Sequence, residues 1–91
     1  MKYGVKYHPH VLSKDLPGLN QDIKAGIKKA IEERILAAPA EYSLPLRKTL
    51  KRYWKLRIGN YRVVYKIKGD IVVIFCIRHR KDVYAVAEGR Q

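Results

Sequence analysis

Residues 46–84, LRKTLKRYWKLRIGNYRVVYKIKGDIVVIFCIRHRKDVY, decide how this chain folds. Three apolar runs lie within them, separated by Gly59-Asn60 and Gly69-Asp70, pairs that mark tight turns between strands. In the first run, Tyr53 to Arg57, Trp54 and Leu56 alternate with Tyr53, Lys55 and Arg57. In the second, Tyr61, Val63, Tyr65 and Ile67 alternate with Arg62, Val64 and Lys66. A period of two puts each set on its own face of a sheet. The third run, Ile71 to Ile77, is apolar on both faces, the pattern of a strand enclosed by neighbours and covered on at least one side. The three runs form an antiparallel meander.

Working outward, Tyr3, Val5 and Tyr7 alternate with Gly4 and Lys6, which predicts a short N-terminal strand broken at His8-Pro9. His10 to Leu16 predicts a short helix that stops before Pro17-Gly18. Asn20 is placed to cap a second helix over 20–37. Asp22 stands in its first turn, and Ile23, Ile27, Ala30, Ile31 and Ile35 form one stripe at spacings of three and four. That stripe is core, laid on one face of the sheet. Ala38 to Pro45 is a loop with two prolines. After the last strand, the sequence predicts one helical turn around Ala85–Glu88 with a loose end. The expected fold is a single α+β domain over residues 1–91. Its order is β-α-α-β-β-β, an antiparallel sheet with two N-terminal helices packed on one face.

Charge points to the partner. The net charge is +12 and it is uneven. Residues 1–45 carry seven Lys/Arg and five acids, 7 − 5 = +2, while residues 46–91 carry thirteen and three, 13 − 3 = +10. Such concentration costs self-repulsion in a compact state, and a polyanionic partner is the usual reason to bear it. The lone Cys76 excludes an internal disulfide and, inside an apolar run, reads as a buried structural thiol. No run approaches the roughly 18 apolar residues of a membrane span. A cytoplasmic protein without membrane attachment is expected.

Several chemistries find no support. His8 and His10 stand two apart with no cysteine or carboxylate cluster to complete a metal site. No phosphate loop, dinucleotide fingerprint or nucleophile elbow is present. Asp82, inside the basic segment Arg78-His79-Arg80-Lys81, is better placed to steady Arg80 or Lys81 than to act as a base. The remaining set of Arg, Lys, Tyr and one His suits RNA cleavage. That reaction needs a 2′-hydroxyl deprotonated, a pentacoordinate phosphate stabilised and a 5′-oxygen protonated. Guanidinium and ammonium groups serve the phosphate. A lysine crowded by cations gives up its proton more readily, and tyrosine can stack on a base. Lys55 and Arg57 share one strand face, and Arg62 follows just past the turn. The same side chains also fit an ordinary solvated strand face.

The pattern Leu46-Arg47, then Tyr53-Trp54-Lys55-Leu56-Arg57-Ile58-Gly59-Asn60-Tyr61-Arg62-Val63-Val64-Tyr65, then His79-Arg80-Lys81-Asp82-Val83-Tyr84 resembles the RelE/ParE superfamily of type II toxins. The helices upstream fit it too, so the resemblance covers nearly the whole chain. It implies a toxin with a cognate acidic antitoxin as partner and no cofactor or metal. RelE-like members cut mRNA in the ribosomal A site by the 2′-hydroxyl route; ParE-like members share the fold and poison DNA gyrase. Carried over by motif, the catalytic positions are Lys55, Arg62, Arg80 and Tyr84, with Arg78 as the alternative to Arg80 because spacing after the last strand varies. His79 and Arg57 are further candidates. Where some members carry a second lysine, this chain has Tyr53, with Lys51 and Arg52 just upstream. Arg47, Lys48, Lys51 and Arg52 are expected to bind ribosomal RNA. The expected function is a ribosome-dependent endoribonuclease; the alternatives are a gyrase inhibitor without nuclease activity and a silent RNA-binding relative.

Overall fold

The computed structural model describes residues 3–41 and 43–91. Strand β1 (Gly4–Tyr7) leads into two helical turns, Val11–Asp15 and Leu16–Gly18. Helix α1 (Gln21–Ala30) continues as a wider, π-type turn over Ile31–Ile35. Then come β2 (Leu44–Pro45), a tight 3-10 turn at Lys48–Leu50, β3 (Trp54–Ile58), β4 (Tyr61–Lys68), β5 (Ile71–His79) and helix α2 (Val83–Arg90).

The sheet order is β1-β5-β4-β3-β2. The meander β3-β4-β5 is antiparallel as expected, and β2 adds to it antiparallel through Leu44 and Pro45, inside the stretch predicted as loop. The N-terminal strand differs: β1 lies parallel to β5, so the sheet is mixed at that edge. The long path through both helices and the meander provides the crossover that a parallel pair requires. The interior position of β5, between β1 and β4 and covered on both faces, accounts for its apolar residues on both faces.

Local chemistry explains the element ends. Asn20 caps α1, its Oδ1 accepting the Ile23 N–H at 2.9 Å. Both hairpins carry glycine first, Gly59 at φ +58° and Gly69 at φ +63°. The reversed Gly-Asp order at 69–70 is therefore the order this turn needs, because the first position is the left-handed one.

Two cores flank the sheet. On one face Val11, Ile27, Ile31 and Ile35 pack on Leu56, Val63, Tyr65, Val72, Ile74 and Ile77. The isoleucine stripe is core, as its periodicity predicts. On the other face Val83 and Ala87 of α2 pack on Leu50, Val64, Phe75 and Cys76. The tail is thus a full helix docked on the second face, not one loose turn. Cys76 is buried, and burial pushes its thiol up to about 11.

One irregularity matters for the site. Tyr65 pairs with Ile74, but Val64 pairs with Cys76, so Phe75 is an extra residue on β5. A bulge of this kind reverses the inside-outside alternation beyond it. Without it Arg62 would face Ile77, and Tyr61 would face Arg78. With it, Arg62 pairs with Arg78 and Tyr61 with His79.

Pro39 and Ser43 are tied to β4 by Tyr65, whose buried hydroxyl is hydrogen-bonded to the Pro39 carbonyl and to Ser43 Oγ, the latter at 2.6 Å. Tyr65→Phe strips the Pro39 carbonyl and the Ser43 hydroxyl of that partner, a loss of about 1–2 kcal/mol. Urea unfolding followed by circular dichroism should show the lowered midpoint at an unchanged slope.

Candidate functional site

The face of the sheet that carries α2 also carries the charges. Arg57 of β3 pairs directly with Arg62 of β4, and Arg62 pairs directly with Arg78 of β5. Directly opposed residues in an antiparallel ladder share a face, with Cβ atoms about 4.5–5.5 Å apart. Three guanidinium-bearing residues thus form a row across three strands. Like charges so placed repel, which an anion above the row relieves.

The next row, about 7 Å along the strands, holds Lys55 opposite Val64 and Val64 opposite Cys76. Tyr84, in the first turn of α2, lies over it. The Lys55 Nζ donates to the Tyr84 hydroxyl at 3.1 Å and stands 5.5 Å from the centre of its ring. These two predicted residues, 29 apart in sequence, are in contact. Tyr84 sits on a helix and packs on the second core through its ring.

The remaining candidates divide. Arg62 donates from Nη1 to the carbonyls of Gly59 (3.0 Å) and Tyr61 (2.8 Å), so its guanidinium is folded toward the turn. Arg57 is exposed beside a hollow lined by Leu44, Lys55 and Arg62. Arg80 is exposed in the turn after β5, where its backbone N–H donates to Asn60 O at 2.8 Å. It stands at the rim of the row, whereas Arg78 stands within it. His79 falls on the opposite face, edge-on to the Tyr61 ring at 5.7 Å, with its Nδ1 accepting the Lys81 N–H at 3.2 Å. The bulge at Phe75 separates it from Lys55 and Arg62.

Arg47, Lys48, Lys51 and Arg52 are all exposed around the 3-10 turn before β3. Lys48 has φ +57°, the left-handed region, a strain of about 1–2 kcal/mol for a non-glycine residue. A groove runs past Lys48, Lys51, Arg52 and Tyr53 to Lys66, whose Nζ lies 5.9 Å from the Tyr53 ring centre. Lys66 belongs to the same strand face as Arg62. It extends the basic surface beyond the predicted set, and its alternation with Arg62 was the signal.

Asp15, Arg90 and Leu44 were missed by sequence reasoning. Asp15 is buried with its side chain wholly excluded from water. It accepts from Arg78 Nε at 2.7 Å, from both terminal nitrogens of Arg90 at 2.7 Å, and from the Ile77 backbone N–H at 2.9 Å. Leu44 pairs with Lys55 and is 64% exposed, an apolar edge to the charged hollow. An acid standing five residues before the Asn20 cap gave no hint of its distant partners. Arg90, in a tail read as loose, gave none either.

Burial pushes the Asp15 carboxyl up, but the bonds from Arg90, the Ile77 N–H and Arg78 outweigh it, leaving the group below its ordinary value of 3.8. A depressed carboxyl contributes stability that is present above the unfolded value and is lost as pH falls through the folded one. Unfolding midpoints measured in urea should therefore drop as pH falls below the ordinary carboxyl value of 3.8. Asp15→Asn, less stable at pH 7, should show a shallower drop; parallel curves would refute the assignment.

Comparison with known proteins places these features in context. The model of the family described as ParE toxin of type II toxin-antitoxin system, parDE, matches residues 5–84. Toxin RelE3 of Methanocaldococcus jannaschii is 31% identical over 74 residues, covering 78% of this chain and 84% of that protein. The toxin-antitoxin complex RelBE2 from Mycobacterium tuberculosis contains a chain that superposes with a TM-score of 0.80 at 28% identity, covering 88% of this chain and 100% of that one. A mutant of E. coli toxin RelE in the free state shares the fold at a TM-score of 0.75 and 18% identity, over 99% of this chain and 94% of that one. Among the described residues, no helix is long and apolar enough to cross a membrane, and no group of three or more His, Cys, Asp or Glu could hold a metal ion.

Proposed function

This chain belongs to the ParE toxin family of type II toxin-antitoxin systems, and we propose that it is a ribosome-dependent endoribonuclease cutting messenger RNA in the A site. It is a toxin of the RelE/ParE superfamily; the cleavage is our reading. The observation that carries it is the row Arg57–Arg62–Arg78 beside the bonded pair Lys55–Tyr84. This arrangement supplies cations for a phosphate and a phenol-amine pair one row away.

In the proposed reaction the 2′-oxygen loses its proton and bonds to the adjacent phosphorus. The P–O5′ bond breaks and O5′ takes up a proton, leaving a 2′,3′-cyclic phosphate and a 5′-hydroxyl. Arg62 and Arg78 stabilise the phosphorane, each able to present paired N–H groups to non-bridging oxygens. Arg80 at the rim holds the strand on either side. Lys55 offsets charge at the nucleophile and orients the Tyr84 hydroxyl, and Tyr84 aligns the nucleotide. Arg57 relieves its repulsion with Arg62 through the same phosphate. Arg47, Lys48, Lys51, Arg52 and Lys66 dock on ribosomal RNA, a contact that weakens steeply with salt.

An acidic antitoxin is the proposed protein partner. The charge of +12 favours it, and the related RelBE2 toxin was solved in a toxin-antitoxin complex. The matching family's ParE description favours a second reading, inhibition of DNA gyrase without nuclease chemistry. Mapping of mRNA ends on programmed ribosomes, with gyrase supercoiling measured in parallel, separates them. Cuts at A-site codons should fall about 10²–10³-fold in Arg62→Ala and in Arg78→Ala. Blocked supercoiling without cuts would sink the nuclease reading.

A further inference from the structure

We propose that Asp15 and Arg90 are positioning residues for Arg78, deciding which side chain at the end of β5 is presented to the scissile phosphate. The proposal rests on the cleavage reading above and deepens it. Strand β1 ends opposite Ile74, where the His8 N–H donates to Ile74 O at 2.8 Å. Beyond that point the outer edge of β5 is taken up by side chains. The Ile77 N–H goes to Asp15 Oδ2 at 2.9 Å, and the Phe75 carbonyl accepts from Arg90 Nη1 at 3.1 Å. Phe75 is the bulge residue. The Asp15–Arg90 pair therefore grips the backbone on both sides of Cys76, next to the irregularity that turns Arg78 onto the face of Arg62 and His79 away from it.

The same carboxylate holds Arg78 directly. Asp15 Oδ1 accepts from Arg78 Nε at 2.7 Å, and no bond engages the two Nη groups of Arg78 among the described residues. A guanidinium held at Nε keeps its terminal pair free for bidentate contact with a phosphate. Arg90 closes the arrangement. Its side chain is 5% exposed, it meets both Asp15 oxygens, and it is the last residue of α2, the helix that carries Tyr84 over Lys55. Burying an ion pair is a poor route to stability alone, because the desolvation cost rivals the attraction. Here its donors and acceptors fall on the backbone that sets the register of the site.

The test uses the full chain. In nitrogen-proton spectra the Arg78 Nε–Hε signal, assigned by its loss in Arg78→Lys, should be resolved in the native protein and shifted or exchanged away in Asp15→Asn. On programmed ribosomes Asp15→Asn should lower kcat about 10²-fold, the scale of a reactive group displaced by about 1 Å, with KM within about twofold. Arg90→Lys, which keeps the charge but loses the fork, should fall between. In the Arg78→Ala background Asp15→Asn should cost nothing further in kcat, because it acts through Arg78. Equal cost in both backgrounds, or native kcat in folded Asp15→Asn, would overturn the proposal. If Asp15→Asn does not fold, Arg90→Lys carries the same cycle. If the native protein cuts no mRNA, the cleavage reading fails; the Arg78 signal still decides whether Asp15 positions it, and an unshifted signal refutes that.

Discussion

The carboxylate of Asp15 lies wholly out of water and bonds a strand amide and two arginines that come from the end of β5 and the end of α2. Its burial is tolerable because each oxygen accepts two donors. An unpaired carboxylate at that depth would take up a proton instead. The bond set ties three parts of a small chain together: the turn after β1, the interior strand β5, and the C-terminal helix. A domain of this length has a thin core, so one multiply bonded charge can determine how its layers meet. Removal of one partner would strand the others, which makes the arrangement specific as well as costly.

The position of α2 follows from that constraint and shapes the charged face. Val83 and Ala87 press on Val64, Phe75 and Cys76, covering the apolar part of the second face. What stays open is the row of arginines on one side and the groove of Lys48, Lys51, Arg52 and Lys66 on the other. The helix therefore divides a continuous basic sheet into two zones. One zone is crowded with guanidinium groups around the Lys55–Tyr84 contact, and the other is an extended set of lysines and one arginine. In the proposed reaction the first would take a single phosphate and the second a run of backbone phosphates.

Much of the frame was legible because it depends on local rules. The meander followed from alternation at Trp54–Leu56 and Tyr61–Ile67 and from glycine-led turns. Helix α1 followed from its cap and its isoleucine stripe. The direction of β1 was not legible, since a four-residue strand with one alternating face pairs equally well either way. Helix α2 was underestimated because its apolar face is short, and much of its anchorage comes from Arg90 meeting an acid 75 residues away. Long-range pairing of that kind leaves no periodic trace.

The bulge explains why the site itself was only half readable. From alternation alone, Arg78 and Arg80 share one face of the last strand and His79 the other, but which face meets Arg62 depends on register. One inserted residue on β5 inverts the answer, and Phe75, apolar and flanked by apolar neighbours, carries no sign of being that residue. Gly and Pro, the usual markers of broken pairing, are absent from β5. The irregularity is instead supported from outside the strand, where Arg90 takes the Phe75 carbonyl and Asp15 takes the Ile77 amide. Register in this sheet is therefore a tertiary property, set by residues that the strand sequence does not contain, and the identity of the arginine beside Arg62 is set with it.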